Sequence, residues 1–177
     1  GIKLVFMGDA RNNVANSLMV VCAKMGMHFT SCGPRDLWPD EDLVNKCKEI
    51  AKETGSVIEM TEDVMEASSN ADVIYTDVWV SMGEPDDVWN ERIKLLSPYQ
   101  VNMKVMNNAN DNAIFLHCLP SFHDLNTTIG KDIYEKFGLK EMEVTDEVFS
   151  SSKSKVFDEA ENRLHTIKAV VYATMRD

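Results

Sequence analysis

The sequence is short of basic residues, and this shortage disfavours one large class of partners. Its 177 residues contain 18 lysines and arginines against 29 aspartates and glutamates, which gives a formal net charge of −11 at pH 7. A chain this acidic repels nucleic-acid phosphates and anionic lipid headgroups. We therefore expect no nucleic-acid partner and no membrane partner. The same charge is compatible with a cationic substrate, although solubility alone would also explain it.

Long apolar runs, a secretion signal and paired cysteines are also missing. No apolar run approaches the roughly 18 residues of a membrane span, and no signal peptide opens the sequence. The four cysteines show neither a CxxC pair nor another metal-ligand spacing, so we expect free thiols in a reducing, cytoplasmic compartment. Three of them fall in apolar patterns and are predicted to be core residues: Cys22, Cys32 and Cys47.

Glycine is scarce at the one turn where a dinucleotide-binding protein would need it. Gly8 follows the first apolar run but stands alone, so the G-x-G-x-x-G pattern is absent. The close approach of backbone to pyrophosphate depends on that pattern. Dinucleotide binding is therefore disfavoured.

The sequence does contain five short apolar runs that alternate with helical patterns. They lie at 2–7, 27–32, 57–60, 71–76 and 113–116. This alternation predicts a doubly wound, Rossmann-like α/β fold, in which a parallel sheet of about five strands carries helices on both faces. We expect residues 1–177 to form one domain, which ends in a long helix near 158–175.

Polar residues follow the fourth apolar run, at the point where that strand should end. The segment 77–83 reads DVWVSMG and contains Asp77, Ser81 and a glycine turn. Ligands of parallel α/β sheets bind at the carboxyl ends of the strands. The segment therefore predicts a pocket for a small polar ligand that bears an amine. The alternative is a loop in which Asp77 or Ser81 merely caps the next helix.

A second polar strand end follows the fifth run, where residues 117–120 read HCLP. Neighbouring residues on a strand point to opposite faces, so His117 is badly placed to activate Cys118. We therefore disfavour Cys118 as a covalent nucleophile and favour a thiol that contacts a bound ligand. A buried structural cysteine is the alternative.

Arg163 is predicted near the start of the final helix, where its positive charge opposes the helix dipole. This unfavourable placement indicates an anionic or carbonyl partner. An ion pair with Glu159, four residues earlier on the same helical face, is the alternative explanation.

Four segments together resemble ornithine carbamoyltransferases, and they occur in that family's order. They are GDARNN at 8–13, DVWVSMG at 77–83, HCLP at 117–120 and EAENR at 159–163. The combination of SMG with HCLP is specific, because the related aspartate enzymes have a pattern similar to HPLP and lack SMG. The resemblance covers essentially the whole chain.

The resemblance implies that the side-chain amine of L-ornithine attacks carbamoyl phosphate to give L-citrulline and phosphate, without a metal or organic cofactor. It assigns ornithine binding to Asn13, Asp77, Ser81 and Met82. It assigns contacts with the reacting amine and the carbamoyl group to Cys118 and Leu119, and contact with the carbamoyl oxygen to Arg163. Cys118, Asp77 and Arg163 would thus be the catalytic residues.

The family's phosphate-binding motifs, STRTR and HPxQ, do not occur in these residues. The resemblance therefore implies the second, ornithine-binding domain of a homotrimeric enzyme, inactive when isolated because carbamoyl phosphate has no site. Apolar residues of the last helix would then lie uncovered, namely Leu164, Ile167 and Val171. Two alternatives remain: a domain of a transferase for putrescine or another amine, and a stand-alone amino-acid-binding module without catalysis.

Overall fold

Five short parallel strands form the centre of the computed structural model, which describes residues 1–80 and 85–175. The strands are β1 (Lys3–Met7), β2 (His28–Cys32), β3 (Ile58–Thr61), β4 (Val73–Thr76) and β5 (Ile114–His117). Their order across the sheet is β3-β2-β1-β4-β5, and every pairing is parallel. The predicted doubly wound α/β fold is confirmed.

Helices connect the strands and continue after the last one. They are α1 (Asn13–Met25), α2 (Glu41–Thr54), α3 (Val64–Ser68), α4 (Asp86–Leu96), α5 (Met103–Asn108), α6 (Thr128–Phe137), α7 (Asp146–Phe149) and α8 (Val156–Thr174). Short 3-10 turns lie at Arg35–Leu37 and Ser97–Tyr99. Among the described residues, no helix is long and apolar enough to cross a membrane.

Each face of the sheet packs into its own hydrophobic cluster, as strand alternation requires. On β1, Leu4 and Phe6 enter one cluster with α1 and α2, while Val5 and Met7 enter the other with α3 to α7. All three cysteines that the sequence places in the core are buried: Cys22, Cys32 and Cys47. That prediction is confirmed.

The connection direction reverses between β1 and β4, which are neighbours in the sheet although three helices separate them in sequence. The chain winds outward from β1 to β3 and then returns to build β4 and β5 on the other side. Such a switch point opens a crevice at the carboxyl ends of the two central strands. Residues 8–13 and Asp77 lie at those two ends.

Helix α8 differs from the rest of the fold because almost nothing covers it. The segment before it lies along the edge of β5, with the Phe115 N–H donating to the Lys153 carbonyl at 2.9 Å and the Lys155 N–H to the Phe115 carbonyl at 2.9 Å. Of residues 157–175, only Glu159 is not exposed. Leu164, Ile167 and Val171 are 66, 52 and 47% exposed. The expected uncovered apolar surface is therefore present.

Candidate functional site

The turn after β1 is held by one asparagine that serves two partners. Asn12 caps α1, and its Oδ1 accepts from the Ala15 N–H at 2.8 Å. Its Nδ2 donates to Asp77 Oδ2 at 3.3 Å. The side-chain amide of Asn12 therefore connects the two strand ends at the switch point, because it bonds both α1 and the Asp77 carboxylate.

Asp77 does not cap α4, so the simpler explanation of this residue is wrong. The N-cap of α4 is Pro85, without a side-chain hydrogen bond, whereas Asp77 Oδ1 accepts from the Val78 N–H at 2.8 Å. Burial raises the pKa of the Asp77 carboxyl; the Val78 N–H and His117 oppose this rise, and nearby Glu143 and Asp9 add to it. Ser81 and Met82, the other two predicted ornithine contacts of this segment, lie outside the described residues.

A cavity of about 230 Å³ opens between the two strand ends. Its polar lining includes Asn13 and Asp77, both predicted from the sequence, together with Asp9 and Arg92. Arg92 reaches across from α4, and its Nη1 lies 2.6 Å from Asp9 Oδ2. Two carboxylates, a guanidinium and amides around so small a cavity suit a zwitterionic ligand with an extra ammonium group.

The strand end at β5 is built on a buried pair, His117 and Glu143. The His117 Nδ1 lies 2.7 Å from the Cys118 carbonyl oxygen, which can only accept, so Nδ1 carries a proton. Its Nε2 lies 3.1 Å from Glu143 Oε1, which also accepts from the Phe122 N–H and the Ser121 hydroxyl. The imidazole is thus fully engaged away from the Cys118 thiol, and a Cys-His catalytic dyad is excluded.

Cys118 is half-buried and lines a cleft of about 660 Å³ together with Leu119 and Arg163. Burial raises the pKa of its thiol, and the negative charges of Asp77 and Glu159 raise it further, while Arg163 opposes them. The thiol therefore stays protonated at neutral pH. In this state it is a hydrogen-bonding group and a poor nucleophile.

Glu159 has partners other than Arg163, so the intrahelical ion pair proposed as an alternative is not formed. The Tyr75 hydroxyl donates to Glu159 Oε1 at 2.6 Å, and the His117 N–H donates to Oε2 at 3.3 Å. Across residues 1–80 and 85–175, none of the ion pairs found includes Arg163. Arg163 is exposed and faces the cleft that holds Cys118.

Sequence reasoning missed Asp9 and Arg92 in the cavity, and Glu143 and Tyr75 behind the cleft. Glu143 lies between Met142 and Val144, and all three are buried, although the surrounding residues 140–147 are rich in charge. The sequence therefore carried no signal for Glu143, because a glutamate among other charged residues is typical of an exposed surface. Tyr75 carried no signal, since aromatic residues are common in strands.

His123, Asp124 and Asp146 form a possible metal-ligand group, with candidate ligand atoms within 4.8 Å of one another. Hydrogen bonds already occupy these atoms. His123 Nδ1 lies 2.9 Å from Asp146 Oδ1, and both Asp124 oxygens accept from Asn126. These hydrogen bonds therefore stabilise the loop between β5 and α6, and we assign no metal to the group.

Comparison with known proteins gives a consistent set of relatives. Residues 1–174 match the family model of the aspartate/ornithine carbamoyltransferase Asp/Orn-binding domain. A catabolic ornithine carbamoyltransferase of Treponema denticola is 68% identical over 175 residues, which are 99% of this chain and 52% of that protein. One from Bacillus licheniformis is 62% identical over 178 residues, covering 100% of this chain and 53% of that protein.

Solved structures agree with these relatives. The ornithine carbamoyltransferase of Pyrococcus furiosus superposes with a TM-score of 0.82 at 39% identity, over 97% of this chain and 49% of that one. The Giardia lamblia ornithine transcarbamoylase gives 0.79 at 33% identity, over 97% of this chain and 49% of that one. The chain spans about half the length of the curated relatives that it matches.

Proposed function

Because this chain belongs to the aspartate/ornithine carbamoyltransferase family through its Asp/Orn-binding domain, we propose that it forms the ornithine-binding half of an ornithine carbamoyltransferase. The observation that carries the proposal is the position of Asp77. It lines the small polar cavity at the switch point, and its charge also raises the pKa of the Cys118 thiol in the neighbouring cleft. A substrate bound by one end in the cavity would thus direct its other end toward Cys118.

Ornithine has the charge pattern that this cavity complements. Its α-ammonium group matches the carboxylates at the switch point, and its carboxylate matches the amide of Asn13. Ser81 and Met82, which follow Asp77 in the sequence, would complete the binding of the amino acid. Putrescine has no carboxylate for the amide and guanidinium groups here to bind, and this favours an amino-acid substrate.

The reaction requires the δ-amine of ornithine to lose a proton, because an alkyl ammonium with a pKa near 10 is no nucleophile. Asp77 is suited to take part, since burial makes its carboxylate more basic than usual. Cys118, as a neutral thiol, can hydrogen-bond the amine without competing for its charge. The amine nitrogen then attacks the carbonyl carbon, and the carbon–oxygen bond to phosphate breaks with its electron pair leaving on phosphate. The proton that the attacking nitrogen must still lose is transferred to the departing phosphate.

Arg163 would stabilise the negative charge that develops on the carbonyl oxygen during this attack. Its guanidinium has no ion-pair partner among the described residues and faces the cleft with Cys118 and Leu119. The phosphate group of carbamoyl phosphate would be bound by the other half of the enzyme. We therefore propose that residues 1–177 are inactive alone, and that the full-length enzyme is a cytoplasmic homotrimer that needs no cofactor.

An NMR amide titration of this chain with ornithine tests the proposal, with putrescine and aspartate as matched ligands. We expect ornithine alone to shift the amides of Asn12, Asn13, Val78 and Cys118. Equal shifts with putrescine would overturn the amino-acid assignment in favour of a sister transferase. If the full-length protein binds ornithine but forms no citrulline from carbamoyl phosphate, the binding-module alternative replaces ours.

A further inference from the structure

We propose that Glu159 is a positioning residue, which fastens the start of α8 to β4 and β5 and thereby places Arg163 across the cleft from Cys118. The geometric part of this inference stands on the structure alone. Its consequence for catalysis rests on the proposed function.

The first observation is that α8 has few attachments. Val156 is buried in the larger hydrophobic cluster, and the exposed ring of Phe157 meets Phe149 edge-on with centroids 6.0 Å apart. Beyond these residues, Glu159 is the only side chain of 157–175 that is not exposed. Because the buried residues of α8 lie only in its first turns, the contacts made there largely set the direction of the helix.

The second observation is that the Glu159 carboxylate bonds two strands at once. One oxygen accepts from the Tyr75 hydroxyl of β4 at 2.6 Å, and the other accepts from the backbone N–H of His117 in β5 at 3.3 Å. Tyr75 is a fixed anchor, because its ring is 5% exposed and stacks on Phe6. His117 immediately precedes Cys118, so the same carboxylate bonds the segment that carries the thiol.

The third observation is the spacing along α8. Residues four apart lie on the same face of a helix, so fixing Glu159 also fixes the direction of Arg163 one turn later. Arg163, Cys118 and Leu119 line the same cleft. Since Glu159 is bonded to the strands, its charge does not bind the guanidinium, which is left to the substrate.

The titration of the Cys118 thiol reports where Arg163 lies, and it can be measured on this chain without any transferase activity. The other three cysteines are buried, so iodoacetamide should react first with Cys118. The charged groups that act on this thiol are Asp77 after β4 and both Glu159 and Arg163 from α8. Arg163 lowers the thiol's pKa, so Arg163→Met should raise the pH midpoint of alkylation.

The decisive comparison is the effect of Arg163→Met in different backgrounds. We expect the shift in the pH midpoint that Arg163→Met causes to shrink or vanish when Glu159→Ala or Tyr75→Phe is also present. In those backgrounds the guanidinium is no longer held near the thiol. Tyr75→Phe removes the hydrogen bond to Glu159 but keeps the Glu159 charge. This variant therefore separates the effect of helix position from the effect of that charge on the thiol. Glu159→Gln, which keeps one acceptor oxygen, should restore part of the effect, and the matched Glu161→Ala should leave it intact.

An unchanged Arg163→Met effect in the Glu159→Ala and Tyr75→Phe backgrounds would overturn the inference. Far-UV circular dichroism checks that each variant is folded. If Glu159→Ala does not fold, the Tyr75→Phe background alone provides the test. In the full-length enzyme, Glu159→Ala should lower kcat by about 10- to 100-fold, as expected for a displaced catalytic group, with the KM for ornithine unchanged. A full-length protein that forms no citrulline would refute the proposed function while leaving the alkylation result standing.

Discussion

The two strand-end sites of this chain are built in different ways. The cavity at β1 and β4 is small and polar, and two pairs bond across it within the body of the fold: Asn12 with Asp77, and Arg92 with Asp9. The cleft at β5 is larger, and one of its walls is α8, whose apolar residues are exposed. We infer that this chain preassembles substrate binding, whereas the arrangement for catalysis depends on how α8 is held.

The largest expected effect concerns the buried pair behind the cleft. Glu143→Ala would leave His117 Nε2, the Ser121 hydroxyl and the Phe122 N–H without their shared acceptor. Breaking a buried pair of this kind costs about 3–5 kcal/mol. Urea denaturation should show that loss, while the exposed Glu53→Ala changes stability little. A loss below about 1 kcal/mol, the range of surface pairs, would contradict the structural role of Glu143.

Asp77→Asn should remove one negative charge from the cavity at β1 and β4 while keeping its shape. The amide fills the same space but can neither pair with an ammonium group nor accept a proton. Loss of such a group typically lowers the rate on the order of 10²–10⁴-fold. We expect a fall of this size in kcat/KM for ornithine in steady-state assays of the full-length enzyme. The exposed Asp111→Asn is the control, and a similar loss there would show that charge alone, not the site, is responsible.

Asp77→Asn should also stabilise the fold at neutral pH, because burying the ionised Asp77 carboxylate costs free energy of folding. Its folded-state pKa is raised, so the folded chain binds the proton more tightly than the unfolded chain does. The ionised carboxyl therefore costs stability above the unfolded pKa of about 4. Asp77→Asn should raise the free energy of unfolding at pH 7, and the gain should fade as the pH falls through the folded pKa. A gain independent of pH would indicate another cause.

The smallest effect is expected on α8 itself. Leu164 is 66% exposed, so Leu164→Glu should change the free energy of unfolding of this chain by less than about 0.5 kcal/mol. The same change should reduce self-association measured by sedimentation velocity, because it interrupts an exposed apolar surface. A large loss of stability would mean that Leu164 packs against the body of this chain after all. Glu161→Gln, also exposed on α8, is the control.

Much of this fold could be predicted from local sequence patterns. Short apolar runs between helical patterns specified five parallel strands, and apolar surroundings placed Cys22, Cys32 and Cys47 in the core. The sequence of 99–106 has neither a clear helical nor a clear strand period, and this segment contains the start of the short helix α5. A six-residue helix has too few turns to show a clear period, which is why the pattern failed there.

The candidate site also has features that the sequence predicts and features that only the tertiary structure decides. The sequence alone determined which polar groups stand at the strand ends, since strand period and turn residues are local properties. Only the tertiary structure decided between the alternatives for Asp77 and Arg163. Asp77 bonds Asn12, 65 residues earlier, and Glu159 bonds Tyr75, 84 residues earlier, instead of Arg163. Such partners are brought together by the strand order of the sheet, because burial rewards contacts in space regardless of their distance along the chain.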